Sequence, residues 1–173
     1  MTAITKALKT NDSAIWLALV RIFVGYIWLN AAIEKIEGGQ FVAGMGKTLA
    51  AFASKNPYGW EKDFLTNIAI PNATLFGTLS MYGELLVGVA LLLGIFSQVG
   101  ALAGLFMSLN FYFAAGWTGA STETLNLVLA GVQVILLLSG AGKVLSVEQA
   151  LYDRLPKLPW WPRQLAQLPE AAS

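Results

Sequence analysis

The sequence predicts an all-α integral membrane protein: a four-helix bundle with an amphipathic helix in its long first extracytoplasmic loop. Three observations predict it. Apolar residues make up 56% of the 173-residue chain and charged residues 12%, about half the charged share of an ordinary soluble domain. Four stretches approach the roughly 20 apolar residues that a spanning helix needs. The links between the last three of these stretches are short, as antiparallel neighbours require.

The spans are expected at Ser13–Ile33, Asn72–Gly94, Ser97–Trp117 and Glu123–Gly140. Ile95-Phe96 joins the second to the third as a tight turn, and the Gly/Ser/Thr segment Thr118–Thr122 joins the third to the fourth. Arg21 lies within the first apolar run, and the pair Glu34-Lys35 follows it. Together with the lack of a small-x-small cleavage site, they argue against a removable secretory signal. Gly100-x-x-x-Gly104 marks close helix packing, and no internal repeat is present.

The connection from Ile36 to Pro71 is the long one. Phe41, Met45, Leu49 and Phe52 recur at helical spacing, with Lys47 and Lys55 on the polar side. Asn56-Pro57-Tyr58-Gly59-Trp60 reads as a turn with interfacial aromatics. A functional lid and a helix resting passively on the bilayer both fit this segment.

Four spans put both termini on one face. That face carries Lys6, Lys9, Lys143, Arg154, Lys157 and Arg163. On the other, Lys35, Lys47, Lys55 and Lys62 are offset by Glu34, Glu37, Glu61 and Asp63. The Lys/Arg excess places both termini in the cytoplasm of a multi-pass cell-membrane protein. The chain then divides into a cytoplasmic segment 1–12, a transmembrane domain 13–142 and an interfacial tail 143–173 containing Leu158-Pro159-Trp160-Trp161-Pro162.

A formal net charge of +1 gives no indication of a nucleic-acid partner. The absence of Cys and His excludes disulfides, thiol redox chemistry, Fe–S clusters and histidine-ligated haem or zinc. Redox work would need an organic cofactor or a metal held by oxygen ligands.

Two charges fall inside apolar runs: Arg21 in the first and Glu84 in the second. Such groups cost several kcal/mol in hydrocarbon unless partnered, which makes them functional candidates. Counting about 1.5 Å per residue from the cytoplasmic ends puts Arg21, Glu84 and Gln133 at about 12, 15 and 11 Å depth. The expectation is an Arg21–Glu84 ion pair with Gln133 beside it. A second polar layer, about 20–25 Å in, holds Asn30, Asn110 and Asn126 below Glu34 and Lys35. Their amides would either bridge helices or line a pocket. Arg21, Gly25, Trp28, Ala32 and Lys35 share one face of the first helix. That stripe suits a cavity for an anionic or aromatic guest, and it also suits a structural ion pair with an aromatic neighbour.

Arg21-Ile22-Phe23-Val24-Gly25-Tyr26-Ile27-Trp28-Leu29, ending at Lys35, resembles the first helix of the DoxD/DoxX group. Pro71-Asn72-Ala73-Thr74-Leu75-Phe76-Gly77 and Gly83-Glu84-Leu85-Leu86-Val87-Gly88-Val89-Ala90-Leu91 are similar to its second. The resemblance runs from about Ala14 to Leu155 and includes the four-helix plan and the long first loop. DoxD is the small membrane subunit of thiosulfate:quinone oxidoreductase. The resemblance implies oxidation of thiosulfate to tetrathionate, with electrons passed to membrane quinone and no haem, Fe–S cluster or zinc.

By position it carries over Arg21, Trp28, Lys35 and Glu84. Glu84 and Arg21 are then the expected catalytic pair, with Glu84 on the proton path. Trp28 would stack on the quinone, and Asn110 and Gln133 supply further polar groups for it. Lys35, with Lys47 or Asn126, would hold the thiosulfate dianion. The implied partners are the lipid bilayer, membrane quinone and a second oxidoreductase subunit, and a homodimer would enclose more volume than four helices alone. The alternatives are a non-catalytic membrane anchor for a redox partner and a small transporter of anions or quinone-like compounds.

Overall fold

A computed structural model describes residues 12–139 and 145–147. The expected terminal segments lie outside these residues, apart from Asp12 and 145–147. The described part is helical throughout, and four of its helices are long and apolar enough to cross a membrane. In chain order these are α1 (Asp12–Glu37), α2 (Phe41–Ser54), α3 (Gly59–Phe64), a π-helical turn Leu65–Ala69, α4 (Ala73–Leu93), α5 (Ser97–Ala115), a 3-10 turn Gly116–Thr118 and α6 (Ala120–Ser139).

Helix ends follow local chemistry. α1 runs past the expected Ile33 to Glu37 because Glu34, Lys35 and Glu37 are good helix formers that leave the apolar run without breaking the helix. It stops at Gly38-Gly39, where Gly39 adopts a left-handed conformation, φ +64°. α4 ends the same way at Gly94, φ +69°, whose N–H donates to the Ala90 carbonyl. α5 stops at Ala115 rather than Trp117, and the tighter turn after it leads straight into α6 at Ala120.

α1 packs along α4 and α5 along α6, while α4 and α5 join the two pairs and α1 meets α6 only sparingly. Glycine sets the closest approaches. A methyl group at Gly25 would lie 2.5 Å from the Leu92 backbone nitrogen, and one at Gly88 would lie 2.6 Å from that of Leu29. The backbones of α1 and α4 touch at both points. The central core between the helices is Val24, Trp28, Val87, Leu91, Ala101, Leu129 and Leu136. The outward faces carry exposed apolar groups, among them Phe23, Leu79, Leu86, Phe106 and Leu138, as lipid contact requires.

α2 does not rest on the bilayer as a separate element. Its Met45, Leu49 and Ala53 are buried in a second core with Leu65 and Ala69, and Phe41, Phe52, Phe64, Phe76 and Ala114 pack around it. The periodic stripe read from the sequence is therefore the face turned to protein. Gly77 admits this contact: a methyl there would lie 3.3 Å from the Val42 Cα. The loop is pinned to the end of α5 by Asn56, whose Nδ2 donates to the carbonyls of Phe113 (3.1 Å) and Ala114 (3.2 Å). Its Oδ1 accepts from the Tyr58 N–H. Trp60 and Tyr58 stack edge-on against Phe113, with centroids 5.0 and 5.3 Å apart.

Gly25→Ala and Gly88→Ala should each destabilise the protein by about 1–3 kcal/mol through overpacking of α1 on α4. Gly131→Ala, with open space around it, should not. Thermal unfolding in detergent micelles checks both.

Candidate functional site

Glu84 lies on the interior stripe of α4, with Gly77, Val87, Gly88 and Leu91. Its carboxylate is almost wholly buried, with 3% of the side chain exposed. A charge there requires a partner. The partner is Lys35, whose Nζ donates to Glu84 Oε2 at 2.5 Å from the last turn of α1. The lysine stem lets the ammonium reach down from a helix end into the bundle. Nζ also lies 3.4 Å from the Ala31 carbonyl and 5.2 Å from the centroid of the Phe41 ring. Ser80, one turn before Glu84, adds a hydroxyl to the carboxylate's surroundings.

The expected Arg21–Glu84 pair does not form. Arg21 is fully buried, but its Nη2 donates to the Leu145 carbonyl at 2.7 Å. The guanidinium lies against the turn after α4, where a methyl on Gly94 would sit 2.6 Å from Nη1. Ten residues of helix, about 15 Å, separate Gly94 from Glu84. Counting depth from each helix end misplaced the pair because α1 begins well beyond the α4–α5 turn. Arg21 thus lies at the Gly94 end of α4, and Lys35 comes level with Glu84.

Gln133 is in the interior, as expected, but beside α5 rather than beside a guanidinium. Its amide packs on Gly104, where any Cβ would collide with Nε2. On α5, Ala101, Gly104, Ser108 and Phe111 form one stripe, and on α6 Leu129, Gln133 and Leu136 form another. Trp28 of α1 closes the seam, its ring 6.3 Å from that of Phe111. Among the described residues no protein group bonds Trp28 Nε1, Ser108 Oγ or either end of the Gln133 amide, though all are buried. Ser108 was not singled out by the sequence, since a serine in an apolar helix carries little signal on its own.

The asparagines of the second polar layer bond within their own helices rather than to one another. Asn110 and Asn126 each turn their amide N–H back onto their own helix, to Phe106 and Thr122, both at 2.8 Å. Asn30 is exposed and donates to Glu34 on the same helix. Lys47 is exposed, away from the buried Met45–Leu49 face of α2. Of the residues proposed for thiosulfate, Lys35 alone stands at the buried carboxylate.

A second buried carboxylate is Glu61 in α3. The sequence reading counted it among the surface charges of the loop, because nothing in Trp60-Glu61-Lys62 shows which way a short helix turns. Burial raises its pKa above the ordinary value.

Removing Lys35 should leave Glu84 uncompensated. Lys35→Met should cost about 3 kcal/mol, and adding Glu84→Gln should recover most of it; thermal unfolding of the single and double variants is the measurement. For Glu61 the folded pKa exceeds the unfolded one, so its contribution to stability is present at low pH and is lost as pH rises through the folded pKa. Glu61→Gln should therefore be more stable than the parent at neutral pH, with the gap closing below the ordinary carboxylate pKa, measured by unfolding from neutral pH down through the ordinary carboxylate range.

Residues 16–161 match the family model described as DoxD, TQO small subunit. No solved structure matches the chain.

Proposed function

The chain belongs to the DoxD family, and from that premise we propose that it is the membrane subunit that oxidises thiosulfate to tetrathionate and passes the electrons to membrane quinone. The observation that carries the proposal is the Lys35–Glu84 pair: an acid and a cation held together inside an apolar bundle, beside an aromatic and polar seam.

The residues fit a quinone. A quinone head group presents a flat ring and carbonyl oxygens that need donors. Trp28 and Phe111 supply aromatic surface. Trp28 Nε1, the Gln133 amide and Ser108 Oγ are buried donors without a protein acceptor among the described residues. Buried donors of this kind cost about 1–3 kcal/mol each when left unmet. Asn110 is the weaker expectation, because its amide N–H is engaged with Phe106. When bound, the quinone accepts two electrons and two protons for each pair of thiosulfate ions joined.

Lys35 holds the anion. A dianion reaching Nζ competes with the Glu84 carboxylate for the same ammonium, and a proton taken up by Glu84 releases the lysine. Anion capture and proton uptake are thereby coupled at one atom pair, 2.5 Å apart. Glu84 then serves as the store from which protons move on. Arg21 has no place in this chemistry: it fixes the other end of the bundle. Lys47 and Asn126 would act from the loop and from α6 as secondary attraction for the anion.

Purified protein in lipid nanodiscs should reduce a short-chain quinone with thiosulfate. Glu84→Gln and Lys35→Met should each lower turnover by about a hundredfold or more, as for loss of a general acid–base group. Normal turnover in both variants refutes the proposal. The break between α1 and α2 favours a second reading, a small anion transporter, since interrupted helices beside buried charge are a transporter device. Thiosulfate flux into liposomes without quinone would decide for it.

A further inference from the structure

The turn from Glu34 to Gln40 exposes two carboxylates, two glycine backbones and an amide: Glu34, Glu37, Gly38, Gly39 and Gln40 are all exposed. Contacts on either side fix its depth. Before it, Leu29 touches α4 at Gly88; after it, Val42 and Met45 touch α4 at Gly77. Residues 30–41 therefore lie beside the middle of α4, between Gly77 and Gly88. Gly77 is itself four residues, about 6 Å, inside the outer end of that span. α2 continues α1 along α4, so the two are one line of helix interrupted alongside a helix long enough to span the membrane.

The surface at this level is otherwise made for lipid. Leu79 and Tyr82 of α4 are exposed between the same two contacts, and Leu75 is exposed beyond them. Hydrocarbon does not accept irregular backbone, glycine carbonyls or carboxylates, and non-helical backbone at such depth persists where it is covered by protein or borders water. Among the described residues none covers this turn. We infer that the Glu34–Gln40 turn floors a water-filled notch in the bundle, open on the face opposite the termini and leading through Lys35 to Glu84.

The side chains beneath the turn agree with this. Lys35 is 23% exposed and Glu84 3%, so the pair grades from wet to dry along its own length. Towards the termini the route is closed. Leu91 and Ala101 are fully buried, Leu136 is nearly so, and beyond them the buried Arg21 guanidinium is tied to the Leu145 carbonyl. A fixed cation at that end also repels protons, as in selective pores. Among the described residues, the way to the ion pair for water, protons and hydrophilic anions is thus from the notch, whatever reaction follows there.

The chain contains no cysteine, so single cysteines can be read without background. Gln40→Cys, Lys35→Cys and Glu84→Cys, with Leu79→Cys and Leu86→Cys as lipid-facing controls, would be reconstituted in vesicles and treated with a membrane-impermeant thiosulfonate. An epitope on the C terminus reports orientation. A thiol in apolar surroundings has its pKa raised by about one unit or more, so the wet positions should react about tenfold faster than the controls. Gln40→Cys and Lys35→Cys should label from the face opposite the epitope, with Glu84→Cys slower but ahead of both controls. Labelling of Gln40→Cys no faster than Leu79→Cys, or from the epitope face, overturns the notch. Gln40 is an exposed turn residue, so its variant folds even if Lys35→Cys does not. The result is independent of turnover: Gln40→Cys vesicles that label as expected but, before labelling, fail to reduce quinone with thiosulfate would refute the redox proposal and leave the notch standing.

Discussion

A carboxylate buried among apolar helices must find a cation, and nearly everything else in this protein follows from how that need is met. Glu84 points inward because it shares a stripe with Gly77, Gly88 and Leu91, which pack on α1 and α2. Turning it outward would also break the glycine contacts that let α1 approach. Lys35 answers it from the last turn of α1, where the helix carbonyls favour a cation. The pair therefore depends on the α1–α4 contact, and the contact positions the pair. Removing either charge alone leaves the other without its partner.

The two ends of the bundle treat their buried cations differently. Arg21 spends its planar, multi-donor head on a backbone carbonyl, in a space that a side chain at position 94 would fill. That is a fixed tie, and it holds 145–147 against the α4–α5 turn. Lys35 carries a single flexible ammonium on a partly exposed stem. Such a group changes partners readily, whereas a guanidinium locked between helix ends does not. Under the proposed function the chemistry therefore falls to Lys35 and Glu84 rather than to Arg21, although both cations share one stripe of α1.

How far the sequence could be read depends on what each feature encodes. Apolar runs encode spans directly, and all four spans sit where expected, within a few residues at their ends. The stripe Phe41–Met45–Leu49–Phe52 encoded a buried face, though not what covers it. Relative height was the quantity missing from the sequence. Depth measured from each helix's own end assumes that all helices start in one plane, and α1 does not. A shift of α1 along α4 moves Arg21 away from Glu84 and brings Lys35 to it. Side-chain reach adds to the error, since a lysine acts about 6 Å from its own Cα, across a stem of extended methylenes. The asparagines failed for a different reason: an amide in a helix can bond to its own preceding turn, as Asn110 and Asn126 do, so three amides at one height need not meet.

The form of the pair bears on whether it is structural or functional. A buried ion pair is a poor means of gaining stability, because well-packed apolar residues of similar volume serve as well or better. A purely structural pair would be expected to satisfy its remaining hydrogen-bonding capacity within the protein and to be dry at both ends. Here one partner is dry and the other is partly wet, next to an interrupted helix. A few residues away, a seam of Trp28, Ser108 and Gln133 holds polar atoms without protein acceptors or donors among the described residues. Each departure costs stability, and together they suit a site built to exchange partners. The polar groups are left partly unmet where a guest would meet them, and at the other end the Arg21 guanidinium is tied to the Leu145 carbonyl.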